Sequence, residues 1–198
     1  PEDPGTPEGE TAAPGPTEEP EYGATIDYSG RSFFVQQMNK KAQELGCRNT
    51  HFTNPHGLHD ENHYSTARDM ATIAKYAMTL PNFTDITGTF VYKKEPTNKD
   101  PEGGPVYNTN KLLQPYEDEM GNFYQYTYAT GIKTGSHDQA GFCLTASATY
   151  YGYTYIVVAM GDMEGYAQNI HNEMRDAKTL FRWAFTELEK KTIATQGD

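Results

Sequence analysis

Two strand-like runs, residues 140–149 and 153–160, meet at Gly152 and are followed by an apolar stripe through Ile170, Met174, Ala177, Phe181, Ala184 and Leu188. No other part of the sequence constrains the fold as much. Phe142, Leu144, Ala146 and Ala148 alternate with smaller or polar residues, so the first run predicts a strand with one buried face. Ile156, Val157 and Val158 are apolar on both faces, which predicts a central strand covered on both sides. The stripe steps by four and three, the spacing of an amphipathic helix laid across a sheet. Upstream, Val35, Met38, Ala42 and Leu45 predict a helix ended by Gly46. Thr66 and Asp69 have the form of a capping box ahead of a second helical stripe, Met70, Ile73, Ala74 and Ala77, stopped before Pro81. Residues 47–64 read as ordered loop, 89–93 as a short strand and 93–105 as a polar turn region. Helices, then an antiparallel sheet, then a covering helix make an α+β (α/β sandwich) architecture.

The 198 residues suffice for one domain with a real core. They contain no apolar run of about 18 residues, so no membrane-spanning helix is expected within them. Of the net charge of −11, eight acids fall in residues 1–30, which hold no Lys or Arg. Six of the first twenty residues are proline. Such a stretch buries too little apolar surface to repay its ordering entropy, so residues 1–30 are expected to be a linker or inserted loop, and residues 31–195 the domain. It lacks the basic start and apolar centre of a secretory signal. An opening of this kind suggests a piece of a longer chain. An acidic chain without a basic stripe repels phosphate backbones and anionic lipid surfaces, which argues against nucleic acid and membrane surfaces as partners.

The tripeptide Lys133-Thr134-Gly135 stands just before the hairpin. K-T-G is one of the motifs of class A β-lactamases and penicillin-binding proteins, where it accompanies S-x-x-K and S-D-N. On an edge strand, the lysine supplies fixed positive charge beside an acyl-transfer site and helps a proton leave an attacking serine. The Thr134 hydroxyl can bond a substrate carboxylate. Gly135, lacking a side chain, lets a substrate backbone lie against the strand. The Ser136 N–H can donate to a developing oxyanion.

The surrounding run, YATGIKTGSHDQAGFCLTASAT over residues 128–149, closely resembles the third-motif region of the serine D-alanyl-D-alanine carboxypeptidases. These are low-molecular-mass penicillin-binding proteins of the peptidase S11 type. FVQQMNKKAQELG (34–46), NTHFTNPHGL (49–58), HYSTARDMA (63–71) and NKLL (110–113) resemble the same family, as does the closing helix around Arg175, Leu180, Trp183 and Phe185. The likeness runs from about Phe33 to Leu188 in one order. It implies a β-lactamase/transpeptidase-like fold, an antiparallel sheet flanked by helices, incomplete at its N-terminal side. It also implies trimming of peptidoglycan stem peptides ending in D-Ala-D-Ala through an acyl-serine, inhibition by β-lactams, no cofactor, and an extracytoplasmic place in the cell envelope. Lys133 would be catalytic and Thr134, Gly135, Ser136 and Arg175 substrate-binding, with Arg175 alternatively bridging to a nearby acid on its own helix. Asn110 resembles a position near the cleft.

The sequence also departs from the family. None of its serines (Ser29, Ser32, Ser65, Ser136, Ser147) begins S-x-x-K or S-x-N. The nucleophile is therefore expected on an upstream segment of the same protein, with residues 1–30 inserted after the second motif. A second reading is a non-catalytic module that binds wall peptide or β-lactam; a third is a β-lactamase, against which the NPHGL loop and the YSTARD helix start favour the carboxypeptidase branch. His51, His56, His59 and His63 have no H-E-x-x-H spacing, so no metal site is expected. Cys47 and Cys143 lack the setting of a catalytic thiol and read as small hydrophobes, although a disulfide outside the cytoplasm stays open. The tyrosines of residues 124–155 read as strand and cross-strand packing more simply than as a carbohydrate-stacking surface.

Overall fold

The structure, a computed structural model, describes residues 30–188. The acidic segment expected to be a loop therefore lies, except for Gly30, outside the described residues. Helix α1 (Gly30–Glu44) ends as its stripe predicts, with the Cys47 N–H donating back to the Ala42 carbonyl across Gly46, whose φ is +83°. Residues 47–64 form an ordered loop closed by an antiparallel bridge between His51 and Tyr64. Helix α2 (Ala67–Ala77) is capped by Thr66, whose hydroxyl accepts the Asp69 N–H at 3.2 Å. Only that arm of the predicted box forms. The Asp69 carboxylate instead accepts from the Asn49 N–H and the Thr50 hydroxyl, both at 2.8 Å, and so ties the loop to the helix.

A short helix α3 (Phe83–Gly88) leads to a ribbon of β1 (Val91–Lys94) and β2 (Gly104–Tyr107), antiparallel to each other. Strand β2 falls at the end of the region expected to be turn alone; its exposed side chains left no alternation to read. A 3-10 turn at Lys111–Leu113 follows, capped by Asn110, whose side-chain oxygen accepts the Leu112 N–H.

The main sheet runs β3 (Ala129–His137), β4 (Gly141–Tyr150), β5 (Tyr153–Asp162), in that order and antiparallel throughout. Tyr151 and Gly152 turn the β4–β5 hairpin with φ of +47° and +76°, the two left-handed positions of a tight turn whose twist matches that of the strands. Residues 156–158 were expected in a central strand. Among the described residues β4 is central and β5 lies at the end of the sheet. Its apolarity on both faces matches its cover, since α5 (Asn172–Glu187) packs on one face of β4 and β5 and α2 on the other. A helix of six residues, α4 (Met163–Gln168), joins β5 to α5 and is too short to show a periodic stripe.

The core lies between the sheet and α5. Leu144, Ala146, Ala148 and Val157 from the strands meet Met174, Ala177 and Phe181 from α5, with Leu112 and Tyr124 closing one side. Phe181 is fully buried and its ring stacks 5.8 Å from that of Tyr126. Alternation along β4 sends its even positions into this core and its odd ones, Cys143, Thr145 and Ser147, to the α2 face. The register pairs Thr134 with Leu144 and Lys133 with Thr145. Thr134 and Lys133 therefore leave β3 on opposite faces.

Candidate functional site

Strand β3 pairs with β4 on one side; its other side has no strand partner among the described residues. Its first half is covered by α3 and anchored by fully buried Asn110, whose side-chain amide donates to the Gly131 carbonyl at 3.0 Å. Asn110 thus fixes the strand from behind the cleft. The second half, from Lys133 onward, has no such cover among the described residues. Gly135 has no positive φ, and a Cβ built on it meets no described atom within 4 Å. Neither backbone conformation nor internal packing requires glycine there. What its absent side chain leaves free is the approach to the strand edge.

Beside that edge lies a groove of about 360 Å³. Thr134, Gly135 and Ser136 form one wall, and Phe142 and Cys143 of β4 continue it. Thr109 lies just ahead of the 3-10 turn and Lys111 opens it, while His171, Glu173 and Met174 come from the start of α5. The Thr109 and Thr134 hydroxyls are 2.5 Å apart and share a hydrogen bond, so each is pointed before any ligand arrives. Lys111 Nζ lies 3.2 Å from the centre of the Tyr116 ring, held by its π face.

Three of the residues expected at the site are brought together here, and two are not. Lys133 is exposed on the opposite face of β3, its ammonium turned back to the Thr134 carbonyl at 2.6 Å. It borders the α2 side of the strand and not the groove. Arg175 is exposed on α5 and outside the groove lining. No salt bridge joins it to an acid among the described residues, so the bridge expected as its alternative role does not form there.

The far wall was not foreseen. A polar chain braces it: the fully buried Tyr124 hydroxyl donates to Asp118 at 2.7 Å and accepts the His171 N–H at 3.2 Å, and His171 Nδ1 reaches Glu173 Oε1 at 2.8 Å. The Tyr124 hydroxyl, with further donors from Asn122 and Met120, holds the Asp118 carboxyl down to about 2. Burial, and then the bond to Asp118, push Tyr124 up to about 12. Glu173 had one sequence signal. It sits three residues after Ile170 and four before Ala177, an acid at the spacing of the buried stripe.

Histidines of the 47–64 loop bond within it, and one reaches β3. His51 Nδ1 meets the Asn62 carbonyl at 2.6 Å and His63 Nδ1 accepts the Thr53 N–H, while the His59 ring lies 5.3 Å from that of His137, at the end of β3. Burial pushes His63 below the ordinary imidazole value. Among the described residues no group of three or more His, Cys, Asp or Glu is placed to hold a metal. Cys47 and Cys143 are both free thiols. They leave on different elements, and Cys47 is buried against the Asp69 carbonyl.

Solved structures share this arrangement of sheet, helices and edge strand. A D-alanyl-D-alanine carboxypeptidase from Mycobacterium tuberculosis superposes with a TM-score of 0.67 at 27% identity, covering 85% of this chain and 59% of that one. Penicillin-binding protein D2 from Listeria monocytogenes, solved in its cefotaxime-bound form, gives 0.58 at 25% identity, over 77% of this chain and 55% of that one. The fold is the β-lactamase/transpeptidase-like one of the penicillin-binding proteins. In sequence, the D-alanyl-D-alanine carboxypeptidase DacF of Bacillus subtilis is 42% identical over 129 residues, 65% of this chain and 30% of that protein. The sequence profile of peptidase S11, described as D-alanyl-D-alanine carboxypeptidase, matches residues 26–164, and the chain belongs to that family. It spans between 30% and 44% of the length of the first three curated relatives it matches.

Proposed function

We propose that the groove along β3 receives the tail of a peptidoglycan stem peptide ending in D-Ala-D-Ala, and that the protein of which this chain is part cleaves the terminal D-alanine through an acyl-serine. The observation that carries the reading is the open edge at Gly135, flanked by the aimed Thr134 hydroxyl and joined to a groove. A ligand backbone laid along that edge adds a strand to the sheet, with main-chain hydrogen bonds giving affinity and flanking pockets giving selectivity. Thr134 is suited to the ligand's carboxylate and the Ser136 N–H to a carbonyl oxygen as it gains charge. Lys133, on the α2 face, would act toward a hydroxyl arriving on that side, supplying positive charge and easing loss of its proton. β-Lactams, which mimic the acyl-D-alanyl-D-alanine backbone, would occupy the same edge. The relatives' wall chemistry supports an extracytoplasmic setting.

The attacking serine is proposed to lie on an upstream segment, since no serine of this sequence heads S-x-x-K or S-x-N. That same observation favours a second reading, a module that binds wall peptide without cleaving it. Labelling with a fluorescent penicillin separates them. The longer protein should label covalently, and Thr134→Val should slow labelling by about tenfold, the worth of one hydrogen bond to a charged group. The 198 residues alone should release no D-alanine, because a nucleophile and its activating base work as a unit. Absence of labelling in the longer protein would overturn the catalytic reading and leave the binding one.

A further inference from the structure

His59 of the 47–64 loop and His137 at the end of β3 bring their ring centres within 5.3 Å, which sets the loop on the strand one residue beyond Ser136 of the groove wall. Hydrogen bonding fixes the state of two imidazoles there. A ring nitrogen that accepts an N–H carries no proton of its own. His63 Nδ1 accepts the Thr53 N–H at 3.2 Å, and His137 Nδ1 accepts the Gln139 and Ala140 N–H groups at 3.2 and 3.3 Å. Both rings are therefore neutral in this arrangement, with the proton on Nε2. His51 is the contrast: its Nδ1 donates to the Asn62 carbonyl, a bond that survives protonation. A side-chain oxygen stands by each accepting nitrogen, Thr53 Oγ1 at 3.3 Å and Gln139 Oε1 at 3.1 Å, and can take a new N–H. The backbone donors then lose their acceptor.

Charge on these rings also meets charge. Around His63 stand His51 and His56 of the loop and His137 of β3, opposed by Asp60. Lys133 shares the His137 face of β3, and the adjoining Asp138 carboxylate accepts the Tyr166 hydroxyl of α4. Burial outweighs Asp60 and holds His63 below the ordinary imidazole value. A ring held down in this way is neutral in place and takes a proton more readily once released. The closed loop therefore loses stability as pH falls through about 6.5 and below.

We propose that the 47–64 loop is an acid-released clasp on the end of β3. While His59, His63 and His137 are neutral, the loop holds the strand edge in the shape a ligand meets; their protonation lets it go. The effect on a ligand rests on the peptide groove proposed above, whereas release of the clasp does not.

Two readouts in the 198-residue chain report the clasp: hydrogen exchange at the Thr53 amide, corrected for its intrinsic pH dependence, and the nuclear Overhauser contact between the His59 and His137 rings. From about pH 7.5 to about pH 5, Thr53 protection should fall about tenfold and the ring contact should fade with it. His59→Phe combined with His63→Asn keeps a ring and an acceptor without a titrating group, and should hold both at the lower pH. His63→Asn alone keeps the test alive if the double variant unsettles the loop, since it should retain Thr53 protection in acid. Affinity for an N-acyl-D-Ala-D-Ala peptide should fall about threefold over the same range in the parent and stay level in the double variant. His171 lines the groove in both proteins, so its own titration cancels. Full protection with an intact ring contact in acid, or loss of both in the double variant, would overturn the clasp. Release with unchanged peptide affinity would overturn its hold on the groove. A peptide that binds at neither pH while the clasp releases would remove the peptide reading and leave the clasp standing.

Discussion

Among the described residues, two hollows of the same volume, about 360 Å³ each, lie at opposite ends of α5. One, beside β3, is lined by hydroxyls, an ammonium, an imidazole and a carboxylate. The other, at the tip of the β4–β5 hairpin, is lined by Tyr150, Tyr151, Tyr153, Tyr155, Phe185 and Leu188. In the second, ring meets ring: Tyr150 lies 4.2 Å from Tyr151 and 4.4 Å from Tyr128, and Tyr155 lies 5.1 Å from Phe185. Those rings contact one another across the turn, so the hollow is a by-product of hairpin packing. In the first, polar side chains line the hollow, and one carboxylate oxygen among them, that of Glu173, is buried without a donor among the described residues. Equal volume hides unequal chemistry: hydroxyls and charged groups line the first, aromatic rings the second.

The comparison yields predictions that range from several kcal/mol to nothing measurable. Phe181→Ala strikes the layer on which both hollows rest, since α5 supplies His171–Met174 to one and Ala184–Leu188 to the other. Removing that fully buried ring should cost about 3–5 kcal/mol in chemical denaturation and loosen both ends together. Loss of only one end would show that the hollows are independent. Thr134→Val keeps shape and removes the aimed hydroxyl; affinity for an acyl-D-Ala-D-Ala peptide should drop about tenfold, or about 1.4 kcal/mol, while the denaturation midpoint moves little.

Tyr124→Phe removes the brace behind the groove and should cost about 1 kcal/mol. It also carries a pH signature. The Asp118 carboxyl is lowered to about 2 in the fold, so its contribution is complete above the unfolded carboxyl value of about 4 and is lost as pH falls toward 2. Denaturation midpoints of the parent should therefore decline between about pH 4 and pH 2.5, and less steeply in Tyr124→Phe. Parallel profiles would break the assignment. The smallest effect belongs to the other hollow. Tyr151 is 82% exposed, so Tyr151→Ala should alter stability by no more than about 0.5 kcal/mol and leave peptide binding unchanged. A loss of binding there would reverse the ranking of the two hollows.

The hairpin, α5 and the K-T-G edge strand were legible because each depends on short-range pattern: alternation in β4, a stepping stripe in α5, a tripeptide in β3. Features set by distant partners were not. Strand β5 was read as central because two apolar faces fit that position; among the described residues it ends the sheet, with α2 and α5 both packed against it. Strand β2 and helix α4 are too short to show a period. In the groove, one wall is a local motif and the other joins Thr109, Lys111 and Glu173 from segments far apart in sequence, which no motif reports. Alternation along β3 could have been applied to the tripeptide itself, and it separates Lys133 from Thr134. On the closing helix the resemblance implied Arg175, while Glu173, an acid at the spacing of the buried stripe, lines the groove.

The central claim is that a D-amino-acid tail lies along the open half of β3. Backbone amide shifts of the chain, followed during titration with an N-acyl-D-Ala-D-Ala peptide and with its L,L counterpart, test it most directly. The account predicts saturable shifts at Thr109 and residues 134–136 with the D,D peptide alone. Shifts centred on residues 150–155, or equal shifts with both peptides, would contradict it.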